Sequence, residues 1–108
     1  LSQCVIYLAS SEKSNSSYLA INKAQKLVED TGNLKVPLSL RNSPTKMMKD
    51  MGYGKDYKYS HDFNNNFIAQ EFLPDEIVET KLYEPAKNMK ENKLREYLKL
   101  RWNSKYKY

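Results

Sequence analysis

Apolar residues recur at helical spacing in the first third and the last fifth of the chain, and the middle breaks that rhythm. "LSQCVIYLA" puts Val5, Leu8 and Ala9 on one face with Ile6 beside them, which predicts the end of a helix within residues 1–11. "SEKSNSS" is polar, and Ser14 or Asn15 can accept the free amide protons of a following helix. From Tyr18, apolar residues return at Ile21, Ala24, Leu27 and Val28, the period of about 3.6 of an amphipathic helix. Gly32 stands where a left-handed C-terminal cap belongs.

"LKVPLSL" reads as extended, because Pro37 disfavours helix at Val36. Pro44 suits the first turn of a short helix carrying Met47, Met48 and Met51, and "GYG" ends it with residues that accept positive φ. "KDYKYSHDFNNN" is loop, "FIAQEFL" a short strand or a buried irregular segment, and "PDEIVE" one helical turn with acids at its favourable end. The last segment is helical, with Leu94, Tyr97, Leu98 and Trp102 on one stripe, and "NSKYKY" is expected to fray. Met47 and Met51, four apart, share a face assigned to the core, and Met48 is offset toward a partner.

At 108 residues the chain fits one small domain or a piece of a larger one, and its opening at Leu1 reads as an excised piece. A core is possible but thin at this size. The strongly negative mean hydropathy suggests that partner surface completes that core. The opening apolar run is too short and interrupted to span a membrane. The lone Cys4 excludes a disulfide framework and a cysteine metal cluster, which fits a reducing cytoplasm. Net charge is +5, mostly from lysine, in a chain also rich in Asn and Tyr. An AT-rich genome produces that bias with no binding function, so the charge adds little by itself.

The candidate chemistry is sparse. "HD" at His61-Asp62 resembles metal-dependent phosphohydrolases, but those need further histidines and this chain has one. Ser10 and Lys13 share the spacing of penicillin-binding enzymes without their companion motifs. "GYGKD" fails as a phosphate loop, with Lys49 where a glycine is required and Asp56 after Lys55. "YGKDYKY" interleaves Tyr53, Tyr57 and Tyr59 with Lys55 and Lys58. Rings that stack on unpaired bases beside lysines that meet phosphates make a single-strand binder. The competing reading, which composition favours, packs the tyrosines onto the helices with their hydroxyls in water.

Taken together, "YLASSEKSNSSYLAI", "VPLSLRNSPTKMMKDMGYGKDYKYSHDF" and "FIAQEFLPDE" followed by "LYEP" resemble the C-terminal region of the replication-associated recombination protein A (MgsA) family of AAA+ ATPases, to which eukaryotic Werner-helicase-interacting proteins are similar. The resemblance runs from about Tyr7 to Pro85. Ser39 replaces a common His, Ser43 and Ser60 replace small alanines, and Met89 replaces a glycine, whereas Glu91 matches a common Glu.

The resemblance implies a mainly α fold: a small helical bundle like a clamp-loader collar, with a long irregular Tyr-rich loop. It implies that residues 1–108 are a single C-terminal oligomerisation domain, homotetrameric in the family. No catalytic, cofactor or metal residue is expected here. The ATPase domain, with its ATP and Mg, would lie upstream. The whole protein is expected to be cytoplasmic and nucleoid-associated, to be a DNA-dependent ATPase at stalled forks, and to contact DNA and single-stranded-DNA-binding protein. Within the signature stretch, Arg41 is a cap or subunit contact, and His61 and Asp62 lock the loop. Lys46, Gly52, Gly54, Lys55, Tyr57 and Tyr59 complete the candidate interaction or loop-locking residues. The stripes Tyr18/Ile21/Leu27/Val28 and Leu94/Leu98/Trp102 are too much for one thin core, so self-association is expected; the alternative is a basic single-strand-binding module.

Overall fold

The computed structural model describes every residue except Asn103. The fold is mainly α, and no strand occurs among the described residues. The chain forms two compact units, one from residues 1–30 and 81–108, the other from residues 31–80.

In the first unit, helix α1 spans Ser2–Ala9 and stops where serines take up its terminal carbonyls. Ser10 Oγ donates to the Ile6 carbonyl at 2.7 Å and Ser11 Oγ to that of Tyr7 at 2.6 Å, satisfying groups that have no helical partner. Helix α2 spans Ser16–Thr31. The Ser14 hydroxyl accepts the Ser16 amide at its start (3.2 Å), and Gly32 follows its end at φ +68. The final helix, Met89–Trp102, begins on Asn88, whose Oδ1 accepts the Glu91 amide at 2.8 Å. Lys99 and Arg101 lie in its last turn, where cations offset the helix dipole.

The tail after this helix is not frayed. The amides of Lys105 and Tyr106 donate to the Trp102 carbonyl, and the Trp102 and Tyr106 rings lie 5.7 Å apart. Lys81 Nζ donates to the Lys107 carbonyl at 2.6 Å and lies 4.9 Å from the Tyr108 ring centroid. Aromatic contacts thus supply what the polar spacing in "NSKYKY" hid; Asn103 of that stretch lies outside the described residues.

In the second unit, Leu38–Leu40 form a 3-10 turn rather than an extended run. Pro37 restrains Val36 but not the residues after it, so the chain closes on the Leu40 amide to Pro37 carbonyl bond at 3.0 Å. Helix α3, Lys46–Asp50, is capped by Thr45, whose Oγ1 accepts the Met48 amide at 3.2 Å; Pro44 therefore lies just outside the helix and not in its first turn. The helix ends in a Schellman motif: the Tyr53 amide reaches the Met48 carbonyl at 3.1 Å and the Gly52 amide that of Lys49 at 3.0 Å, with Gly52 at φ +87. The last α-helix among the described residues, Met89–Trp102, is α4; the second unit also holds short turns at Ser60–Asp62, Asn64–Asn66 and Asp75–Ile77, the middle one passing through left-handed backbone at Asn65 (φ +56). "FIAQEFL" is irregular, with Phe67 and Ile68 half-buried and Phe72 exposed.

The methionine assignment reverses. Met48 is half-buried, whereas Met47 and Met51 are exposed, because the helix is one turn long and its anchored side is fixed by the Schellman bonds through Met48. More generally, apart from Pro85, no apolar side chain among the described residues is buried. Val5, Leu8, Tyr18, Ile21, Val28, Leu94, Tyr97 and Leu100 all stand exposed, and Leu27, Leu98 and Trp102 are half-buried.

Candidate functional site

The signature stretch folds around Gly54. Its amide donates to the Leu38 carbonyl at 2.7 Å, tying the end of α3 to the 3-10 turn that precedes it. Gly54 sits at φ +72, and a side chain there would meet the Arg41 carbonyl at 3.2 Å, so the position accepts only glycine without strain. Arg41 closes the same knot from the other side. Its Nε donates to the Val36 carbonyl at 2.6 Å, and its guanidinium lies 5.1 Å from the Tyr53 ring centroid, within cation–π range.

This knot leaves an open groove of mixed polarity lined by Ser39, Leu40, Arg41, Asn42, Ser43, Gly54 and Tyr57. Of the residues singled out from sequence, the structure brings Arg41, Gly54 and Tyr57 together on it. Tyr57 and Tyr59 are 53% and 55% exposed. They do not pack the loop down; that role falls to the half-buried Tyr53. Tyr59 instead pairs with His61, ring centroids 5.0 Å apart at 48°. His61 and Asp62 are exposed. Bonds that help hold the loop include the Gln70 side-chain amide to the Lys58 carbonyl (3.2 Å) and the backbone amides of Asp62 and Phe63 to the Tyr59 and Ser60 carbonyls. Lys46 opens α3, and Lys55 follows Gly54; both are exposed. Asp56 at φ +62 turns the chain between Lys55 and Tyr57.

A heavily bonded carboxylate lies elsewhere, outside the candidates that the sequence marks. Glu91, in the first unit, accepts the Ala86 amide at 2.6 Å and the Tyr83 hydroxyl at 3.1 Å, with the Asn88 side-chain amide at 3.5 Å. The Ser14 hydroxyl, the Ala86 amide and the Ser16 and Tyr83 hydroxyls hold its carboxyl at about 2, against an ordinary value of 4.5. Burial first, and the Glu91 carboxylate next, push the Tyr83 phenol up. Nearby, Glu84 pairs with Lys81 and Arg95, which hold its carboxyl down, and Arg95 also reaches the carbonyl of the buried Pro85. A carboxylate donated to from several segments pins them together. The local signal was available in "NMKE", where Asn88 and Glu91 stand three apart as in a capping box, but the Ser14 partner is distant in sequence.

No group of three or more His, Cys, Asp or Glu side chains that could hold a metal occurs among the described residues. No helix among them is long and apolar enough to cross a membrane.

The chain is similar to known proteins over almost its whole length. The family described as "MgsA AAA+ ATPase C terminal" matches residues 1–102. Replication-associated recombination protein A of Coxiella burnetii is 43% identical over 91% of this chain and 22% of its own length. The Escherichia coli K12 protein of the same name is 42% identical over 94% of this chain and 23% of its own length. A Dictyostelium discoideum protein named ATPase WRNIP1 is 43% identical over 76% of this chain and 10% of its own length. The chain thus spans less than a quarter of the relatives it matches. It belongs to the MgsA AAA+ ATPase C-terminal family.

Proposed function

We propose that this chain is an oligomerisation domain of a AAA+ ATPase that acts in replication-fork maintenance and recombination, and that these residues carry no catalysis. The observation that supports it most is surface. The chain exposes 8947 Å² for a mass of 12.7 kDa. Two separate compact units of half that mass would together expose about 7,500 Å² by the scaling of folded monomers. The surplus, about 1,400 Å², exceeds the roughly 800 Å² that one partner contributes to an interface of standard size. It is apolar where it matters: Val5 and Leu8 on α1, Tyr18, Ile21 and Val28 on α2, and Tyr97 and Leu100 on α4 are all open to solvent. Permanent interfaces take their stability from burying such side chains as a second core. In the whole protein, ATP and Mg would be held by an ATPase domain preceding these residues, four copies would assemble, and DNA and single-stranded-DNA-binding protein would be partners.

Light scattering on the purified chain tests the assembly. The parent is expected to run as a multiple of 12.7 kDa, and a double Ile21→Glu/Val28→Glu variant, which places charges on the open face of α2, to shift toward the monomer. A parent that stays monomeric across the accessible concentration range rejects the reading.

A further inference from the structure

The groove beside Arg41 and the loop after Gly54 share one residue, Tyr57, and self-association through helix faces makes no use of either. We propose that residues 39–61 form a platform for single-stranded nucleic acid. Tyr57 and Tyr59 stack on unpaired bases, and Lys55, Lys58 and the Arg41 guanidinium meet the phosphates.

Four observations on the second unit carry this. First, both rings are more than half exposed, so their faces are open to a planar partner. Second, the Tyr59 ring forms a tilted pair with His61, so the loop presents a small aromatic cluster and not a single ring. Third, the groove that Tyr57 borders sets Ser39, Asn42, Ser43 and a guanidinium beside Leu40 and the Tyr57 ring, so polar groups for sugar and phosphate oxygens stand next to apolar faces that a base can cover. Fourth, the positive φ of Gly54 and Asp56 fixes the turn that sets Tyr57 beside that groove. Duplex bases hide their faces in the stack, so the chemistry selects unpaired strands. The stretch Arg41–Phe63 carries five basic and three acidic residues, with Asp56 and Asp62 exposed among the lysines. That modest excess holds affinity near the non-specific range, roughly 10⁻⁴ to 10⁻⁶ M at physiological salt.

Fluorescence anisotropy separates base stacking from charge. The 108-residue chain is titrated into a labelled oligothymidine and into an abasic deoxyribose-phosphate strand of equal length. Oligothymidine is expected to bind at least about fivefold tighter, the lower limit for one stacked base. Tyr57→Leu and Tyr59→Leu should each weaken it by roughly 5- to 100-fold, with Tyr57→Phe and Tyr59→Phe binding as the parent. Lys55→Gln with Lys58→Gln should flatten the slope of log affinity against log salt by about 1.4, since each single-strand phosphate contact contributes roughly 0.7. Lys87→Gln, in the other unit, should leave affinity for oligothymidine unchanged. Equal affinity of the parent for the two strands overturns the proposal, and that comparison holds whether or not the leucine variants fold. Leucine variants with unchanged circular dichroism and unchanged binding overturn it as well.

Discussion

Replacing Gly54 by alanine should cost clearly more than the same change at Gly52, although both glycines hold positive φ. At Gly52 (φ +87) an added Cβ meets nothing within 4 Å, so the cost is conformational alone. The left-handed region costs an L-residue about 1–2 kcal/mol, and the stiffer unfolded chain returns about 0.4–1 kcal/mol, leaving a net loss near 1 kcal/mol. At Gly54 (φ +72) the new methyl also lies 3.2 Å from the Arg41 carbonyl and 3.6 Å from Ser43 Oγ. The first of these atoms is backbone and cannot rotate away. Relief would pull on the Gly54 amide bond to Leu38 or on the Arg41 contact with Val36. Overpacking of that kind adds about 1 kcal/mol or more, for a total of about 2–3 kcal/mol. A domain of this size loses roughly 4–8 °C of Tm per kcal/mol, so thermal melts at fixed protein concentration should place Gly52→Ala about 5 °C and Gly54→Ala about 10–20 °C below the parent. Gly52→Asn should recover part of its loss, because Asn tolerates the left-handed region. Two alanine variants with the same melting temperature would refute the reasoning, since they would show that the knot around Gly54 yields at no cost.

Acid should destabilise the first unit through its carboxylates. Glu91 titrates at about 2 when folded and near 4.5 when free, and a depressed carboxyl contributes stability above the unfolded value that is lost as pH falls through the folded one. As far as Glu91 and Glu84 decide it, melting temperature should therefore be flat from about pH 5 to 9 and fall between about pH 4.5 and 2. Glu91→Gln should be less stable at neutral pH and show a shallower acid slope; an unchanged slope would assign the loss to other groups. The chain by itself should turn over no ATP, because its one "GYGKD" segment lacks the glycine and hydroxyl of a phosphate loop, and turnover by a pure preparation that survives mock-purification controls contradicts that.

The helices were legible because their signals are local. The period from Tyr18 to Val28, the serines after Ala9, and Gly32 and Gly52 beyond helix ends each report on bonds within a turn or two. Family and helical class followed from long, ordered signatures of the same kind. What failed was whatever a distant partner decides. Pro37 reads as extended, yet the turn after it closes on the Pro37 carbonyl and is tied down by Gly54, far along the chain. Met48 and not Met47 is covered, because only the anchored side of a one-turn helix has a neighbour. The tail looks polar and loose, but Lys81 and tilted ring contacts hold it. Glu91 could be read as a helix cap; nothing in its surroundings announced Ser14 and Ser16.

The joints of the first unit are polar, and that bears on what its apolar faces are for. Glu91 links the start of α2, the segment from Tyr83 to Ala86 and the start of α4, and Arg95 links α4 to Glu84 and Pro85. Hydrogen bonds are directional, so such joints fix helix orientation without consuming helix surface. A hydrophobic joint would do the reverse, covering Ile21, Val28 or Leu100 inside the chain. Their cost is net stability, since a hydrogen bond exchanged with water gains only about 1 kcal/mol. Under the proposed assembly that cost is recovered between copies, where the apolar faces are buried. Stability should then rise with protein concentration, as it does for any protein whose folded form is the one that associates.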